Sequence, residues 1–353
     1  MDPLRVLFLS DQKPGHHNFA DGVLAAITKL RPVQCVTLPI RIAFPWRMRA
    51  VQPLIHGGPA ALRLALKLGF DVDAAALPGN VDLVLSGGGD TLSANIAAAR
   101  LLGAANIFAG SLRRGLGYDR FSLVVSSYDR AGDPARHIGT LKPSIHDPAQ
   151  FTRPPPGTRF GADNPPRRAG LLLGGRSGYF RYRTDEWLRL FRFVRELNAA
   201  WGTKWLISTS RRTPGGIADR AAALARDGTL VECFVDFRTA GPGTLLPIFR
   251  DADVMVCTTD SSSMLSEAIA VRLPVIGVTP ARHGLKPDEA RYRDRMVAMN
   301  WCRFLPIAEL EVARFGQDLA EVVPTEVNHL DRLATEIRRK LPELFDGHRP
   351  GGR

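Results

Sequence analysis

Disulfides, metal cages and membrane spans find little material in this chain. Its four cysteines, Cys35, Cys233, Cys257 and Cys302, are scattered and share no metal-ligand spacing, so reduced thiols in a cytoplasmic protein are expected. No run approaches the ~20 apolar residues that cross a bilayer. Aromatic residues make up only 8%. Zinc-finger spacing, an RNP-like aromatic motif and a helix-turn-helix pattern are all missing, so nucleic acid is a disfavoured partner. No G-x-G-x-x-G followed by an acidic residue occurs, which argues against a dinucleotide dehydrogenase. The start MDPLRVLFLS lacks the basic region and cleavage site of a secretory leader and reads as a strand. A periplasmic-type binding protein is disfavoured on that ground. Acidic residues are also short, 35 against 47 Lys plus Arg, for a net charge of +12 supplied mostly by arginine. That excess suits an anionic partner, a phosphate-bearing metabolite or an acidic lipid surface, and equally suits solubility in an arginine-rich proteome.

What is present is a repeated order of apolar run, polar loop and amphipathic segment, over 353 residues, a length for two domains. Leu4–Leu9, Val33–Pro39, Val81–Leu85, Asn106–Ala109 and Leu123–Val125 read as strands, with helices over Phe19–Leu30, Pro59–Leu68 and Leu92–Leu102. His137–His146 reads as loop. Thr152–Arg168 holds five prolines and reads as the interdomain linker. The order then restarts, with strands at Ala169–Leu173, Lys204–Ser208, Leu230–Val235, Val254–Cys257 and Val275–Val278. The expectation is two doubly wound, Rossmann-like α/β domains facing a cleft, at 1–160 and 168–322, followed by a helix over Val323–Leu341 and a tail, 323–353. Arg41–Val51, RIAFPWRMRAV, interleaves arginine with Ile, Phe, Trp and Met. It fits an interfacial patch on an anionic membrane, and it fits an ordinary half-buried loop and helix.

In the second half, three strands end in polar loops: Gly174–Gly178, Thr209–Thr213 and Thr258–Ser263. Strand ends of one parallel sheet point to one edge, where α/β folds bind anionic ligands. Gly174, Gly175, Arg176 and Ser177 in the first loop, Ser210, Arg211 and Arg212 in the second, and Thr259, Asp260, Ser261 and Ser263 in the third supply amides, hydroxyls and guanidinium forks for a diphosphate. Glu267, one turn beyond Ser263, is placed to accept from ribose hydroxyls. A capped helix starting at Ser263 is the plainer alternative. In the first half, SDQKPGHHN, SGGGDT and SSYDR follow strands. His16 is the candidate general acid/base, because imidazole titrates near neutrality, with Asp11, Asp90 or Asp129 to orient or replace it. Lys13, Gly15, Gly88 and Asp129 are candidate acceptor-side residues. A structural turn residue is the other reading of His16. Asp71-Val72-Asp73 and Asp251-Ala252-Asp253 spell D-x-D but sit in the wrong places for a metal site, and no other cluster has metal spacing.

SDQKPGHHN resembles the S-D-G-[KR]-P-G-H-x-N-Q signature of the mitochondrial fission (elongated-mitochondria) family. LLLGGRSGYFRY, ISTSRRTPGGI and VCTTDSSSMLSEAIAVRLPVIGV are similar to that family's second-domain blocks, in the same order. Two positions depart from the pattern: Gln12 stands where glycine is usual and Phe19 where glutamine is usual. The resemblance implies a GT-B-like glycosyltransferase fold, with a nucleotide-sugar donor contacted by Thr259, Asp260, Ser261, Ser263 and Glu267. It places the acceptor and His16 in the first domain, carries the final helix back to that domain, and implies no metal and no cofactor, the nucleotide sugar being the substrate. The expected activity is metal-independent transfer of the sugar from a nucleoside-diphosphate donor to a lipid or glycan acceptor, in the cytoplasm or peripherally on the inner membrane. The alternatives are a non-catalytic scaffold on the same fold and a nucleotide-sugar epimerase.

Overall fold

The computed structural model describes residues 2–42, 48–113, 115–128 and 132–346. The chain forms two compact units. The first holds the residues up to Ile145 and those from His329 onward, and the second is His146–Asn328.

The first unit is built on six parallel strands: β1 Leu4–Ser10, β2 Val33–Pro39, β3 Leu83–Gly87, β4 Ala105–Ala109, β5 Leu123–Ser126 and β6 His137–Gly139. Their order is β2-β1-β3-β4-β5-β6. β3 is buried along its whole length and β1 nearly so, as short apolar runs covered on both faces by helices should be. One face packs the helices Pro59–Phe70 and Leu92–Leu102 through Leu62, Leu66 and Ile96. On the other, the helix Pro14–Thr28 packs beside His329–Lys340, which buries Leu330, Leu333 and Ile337 in the core shared with Leu4, Val6 and Phe8. Lys29 pairs with Asp331, and Arg31 donates to the Leu344 carbonyl.

The second unit repeats the plan with β7 Arg168–Leu172, β8 Lys204–Ser208, β9 Val231–Val235, β10 Val254–Thr258, β11 Val275–Thr279 and β12 Cys302–Pro306. All pair in parallel, in the order β12-β11-β10-β7-β8-β9. The helix Thr184–Trp201 places Trp187, Leu190, Phe193, Val194 and Leu197 on one stripe, and Phe193 meets Trp205 and Phe315 edge to face. The Trp205 indole N–H donates to the Val194 carbonyl, so this fully buried ring leaves no polar atom unsatisfied.

Several sequence readings are corrected. Pro14 opens the first helix, so His16 and His17 lie in its first turn and not in a loop; proline suits that position because the amide it lacks would have no helical partner. His137–Gly139 is the sixth strand of the first sheet. The proline-rich 152–168 segment packs within the second unit, burying Phe160 and sending Arg159 to the Val322 carbonyl; the chain changes units at Ile145–His146. The last helix starts at His329, and Val323 instead donates its amide to Asn300. Of the 41–51 segment, 43–47 lie outside the described residues; Val51 is fully buried, and Ile42 and Met48 pack on the core.

Candidate functional site

Each sheet reverses its strand order once, and a doubly wound sheet opens its ligand crevice at that point, beyond the carboxyl ends of the strands. In the second unit the reversal lies between β7 and β10. The loops predicted to converge do so there. The Gly174 amide donates to Thr258 Oγ1 at 2.6 Å. A Cβ on Gly174 would stand 2.0 Å from Asp260 Oδ1, and one on Gly175 would stand 1.9 Å from the Arg212 carbonyl oxygen. Thr213 Oγ1 donates to the Leu173 carbonyl at 2.7 Å. The glycines therefore serve close packing of three loops, a contact that any side chain would prevent.

The candidate donor residues divide into two groups. Arg212, Asp260 and Thr259 bind the loops to one another. Arg212 reaches the buried Asp260 carboxylate through Nε at 3.0 Å and Nη2 at 2.9 Å, and Thr258 Oγ1 donates to the same carboxylate at 2.8 Å. Thr259 Oγ1 donates to the Val278 carbonyl. Ser210 Oγ accepts from the Arg212 amide, and the Ser177 carbonyl closes a turn to the Phe180 amide. The cap of the next helix, Ser262–Ala270, is Ser261 and not Ser263; its hydroxyl accepts from the Met264 amide. In the other group the side chains make no hydrogen bond or ion pair to a described residue: Arg176 and Arg211, both exposed, and Ser263 and Glu267, both half-buried. Burial pushes the Glu267 carboxyl up to about 7.

Sequence spacing missed the groups that support these loops. The Tyr182 hydroxyl accepts from the Thr259 amide at 2.8 Å and donates to the Val278 carbonyl at 2.6 Å. Arg293, 5% exposed, donates to the Thr259 carbonyl at 2.7 Å, pairs with Glu289, and lies under the rings of Phe180 and Phe304. Glu186 accepts from the Arg183 and Ala281 amides, tying the β7 and β11 loops together. Glu186 was legible as the third residue of a helix following a cap position. Arg293 shows locally only its i,i+4 pairing with Glu289; the Thr259 carbonyl that it holds is 34 positions away.

In the first unit the reversal lies between β1 and β3, and it brings SDQKPGHHN against SGGGDT. His16 Nδ1 and Asp11 Oδ2 are 2.7 Å apart, with the Asp11 side chain 6% exposed. Gly88, at φ 85°, passes under the imidazole so closely that a Cβ would stand 2.0 Å from Nδ1. Lys13 and Arg113 both pair with Asp90. Burial raises the Asp90 carboxyl, but the bonds from Lys13 and Arg113 outweigh it and hold the group below the usual range. His17 is a packing residue: it stacks on Phe8 at 5.0 Å and bonds Ser10 and Asp21. Gly15 borders open space. Asp129 lies outside the described residues. Gln12, where the resembled signature has glycine, adopts φ 58°, which accounts for glycine at that position.

The D-x-D pairs are engaged elsewhere, Asp71 with Lys67, Asp73 with the Ala75 amide, Asp251 with Arg250 and Asp253 with the Arg168 amide. Among the described residues no three His, Cys, Asp or Glu side chains are grouped to hold a metal ion, and no helix is long and apolar enough to cross a membrane.

Two parallel six-stranded sheets, each with polar loops at its reversal point, define a GT-B-like α/β protein. Solved structures agree on the fold. A Listeria monocytogenes protein described as a UDP-N-acetylglucosamine 2-epimerase is 13% identical over 99% of each chain, with a TM-score of 0.56. The Methanocaldococcus jannaschii UDP-GlcNAc 2-epimerase, solved with UDP-GlcNAc and UDP, is 11% identical over 96% of this chain and 99% of its own, with a TM-score of 0.51. S. aureus MnaA, solved with UDP, is 10% identical over 99% of this chain and 100% of its own, also at 0.51. No curated protein sequence matches the chain significantly. A family model matches residues 14–341, and the chain belongs to the mitochondrial fission ELM1 family.

Proposed function

We propose that this chain binds a nucleoside-diphosphate sugar at the β7/β10 edge of its second unit and transfers the sugar to an acceptor held by the first unit. The observation that carries the reading is the pair of roles at that edge. Arg212, Asp260, Tyr182 and Arg293 hold the loops together, while the side chains of Arg176, Arg211, Ser263 and Glu267 have no partner among the described residues. A half-buried carboxyl with no donor of its own suits the hydroxyls of a ribose. Exposed guanidinium groups and the amino end of the helix Ser262–Ala270 suit a diphosphate, whose negative charge grows as the sugar departs. The M. jannaschii and S. aureus proteins, which share the fold, hold UDP, and this supports a nucleoside diphosphate as the ligand class.

In this reading His16 is the base. Asp11 occupies Nδ1, which leaves Nε2 to accept the proton of the acceptor hydroxyl. Lys13 and Arg113, with the net charge of +12, favour an acceptor with acidic groups or one presented on an acidic membrane surface. An epimerase reading uses the same donor site and draws on the fold likeness to the epimerases. Turnover separates the two. A transferase releases nucleoside diphosphate from a donor panel only when an acceptor is added, beyond slow hydrolysis. His16→Ala should then lower the rate by about 10²–10⁴ and leave nucleotide affinity unchanged. Conversion of donor without any acceptor would replace this reading by the epimerase, and full activity in His16→Ala would remove the assigned base.

A further inference from the structure

The opposite, amino-terminal edge of the second sheet carries a pocket of about 460 Å3. It lies where Asp253 enters β10, Pro274 enters β11 and the 151–160 segment leads to β7. Phe151, Phe160, Pro274 and Pro324 make its walls apolar, and Arg153 and Arg272 supply two cations.

Neither arginine forms an ion pair with a described residue. Arg153 donates from Nε to the Val271 carbonyl and from Nη2 to the Phe249 carbonyl, both at 2.8 Å, and lies 4.8 Å from the centroid of the Phe151 ring. Burial lowers its pKa to about 10, with the charge of Asp253 opposing. Arg272 donates from Nη2 to the Glu326 carbonyl, while its Nε is shut off from solvent with no partner. A buried donor left unpaired costs about 1–3 kcal/mol. Arg272 also holds φ at 62°, a left-handed conformation that costs roughly 1–2 kcal/mol in a residue with a Cβ. That φ closes the helix Ser262–Ala270, with the Arg272 amide donating to the Ile269 carbonyl and the Leu273 amide to the Ala268 carbonyl, and what points to an anion is the two guanidinium charges on the cavity wall without a carboxylate partner. Two carboxylates also line the pocket: Asp253, which accepts from the Arg168 amide, and the exposed Glu326.

We propose that this pocket binds a small organic anion, a carboxylate or phosphate group on a compact apolar body, with the oxyanion between Arg153 and Arg272 and the body against Phe151, Phe160, Pro274 and Pro324. The site is separate from the donor edge. The outermost polar atoms of the arginines recognise the head and the ring and proline faces recognise the body, so an apolar ester should bind more tightly than the bare anion.

Calorimetric titration of the full chain with benzoate, phenyl phosphate and inorganic phosphate tests this. At least one aromatic anion should saturate a single site on the wild type, with the stronger of the two identifying the head group, and inorganic phosphate should bind at least tenfold more weakly than phenyl phosphate. Arg272→Gly suits the left-handed φ, so it should keep the wild-type melting temperature and lose at least tenfold in affinity. Arg153→Met should lose affinity in the same direction. A saturating nucleoside diphosphate should leave the titration unchanged. The proposal is overturned if no aromatic anion binds the wild type, if both variants bind as the wild type does, or if the nucleotide abolishes binding.

Discussion

Replacing Glu267 by glutamine should stabilise the unliganded protein in alkaline solution and leave it unchanged in acid. The carboxyl has an ordinary value of 4.5, and burial lifts it to about 7 in the folded chain. The unfolded chain gives up its proton near 4.5, while the folded chain keeps it until about 7. Folding stability is therefore intact below pH 4.5, falls as pH rises to 7, and is level beyond it. At 1.36 kcal/mol per pH unit, the drop amounts to about 3 kcal/mol. Glutamine does not titrate and escapes it. Denaturant unfolding of both proteins at pH 4 and pH 8 should show equal stability at the lower pH and an advantage of about 3 kcal/mol for Glu267→Gln at the higher. The same substitution removes a charged acceptor and should weaken nucleotide binding by about tenfold or more. A stability difference that is the same at both pH values would show that Glu267 titrates normally, and the burial argument would fall.

Neighbouring arginines should behave oppositely. Arg212→Met strands the buried Asp260 carboxylate and should cost about 3–5 kcal/mol in a melting experiment. Arg211→Ala removes an exposed, unpaired group; it should change stability by no more than about 0.5 kcal/mol yet weaken nucleotide binding measurably by calorimetry. Gly88→Ala sets a Cβ against His16 at φ 85°, so turnover should fall while nucleotide affinity stays constant; unchanged turnover would remove the Asp11–His16 pair from the mechanism. Gln12→Gly relieves roughly 1 kcal/mol of left-handed strain, offset in part by a freer unfolded chain, so melting should rise slightly and never fall by more than a degree or two.

Much of this architecture is written in local pattern. Short apolar runs that lead into hydroxyl clusters, Trp205–Ile207 and Val254–Cys257, mark the strands Lys204–Ser208 and Val254–Thr258, because a strand buried on both faces is apolar along its length. The convergence of Gly174, Ser210 and Asp260 follows from the rule that parallel strands end on one edge. What the pattern conceals is which polar residues stay free. Asp260, Arg212 and Glu267 all read as ligand groups, and the fold pairs the first two with each other while it leaves the Glu267 carboxyl without a partner among the described residues. Tyr182 and Arg293 act across 77 and 34 positions, distances at which only the assembled sheet brings groups together. Five prolines between 152 and 168 suggest a linker, but the segment belongs to the second unit, where Phe160 is buried and Arg159 donates to the Val322 carbonyl. The residues 279–322, which gave no clear periodic signal, hold the helix Pro287–Ala298 and β12.

Calorimetric titration of the full chain with a panel of nucleoside diphosphates and their sugars, repeated on Glu267→Ala, addresses the donor site most directly. Loss of hydrogen bonds to a charged group should cost about 1.5–3 kcal/mol, a drop of about tenfold or more in affinity for the nucleotide that binds best. A flat titration across the panel, or equal affinity in Glu267→Ala, would contradict a donor site at the β7/β10 edge.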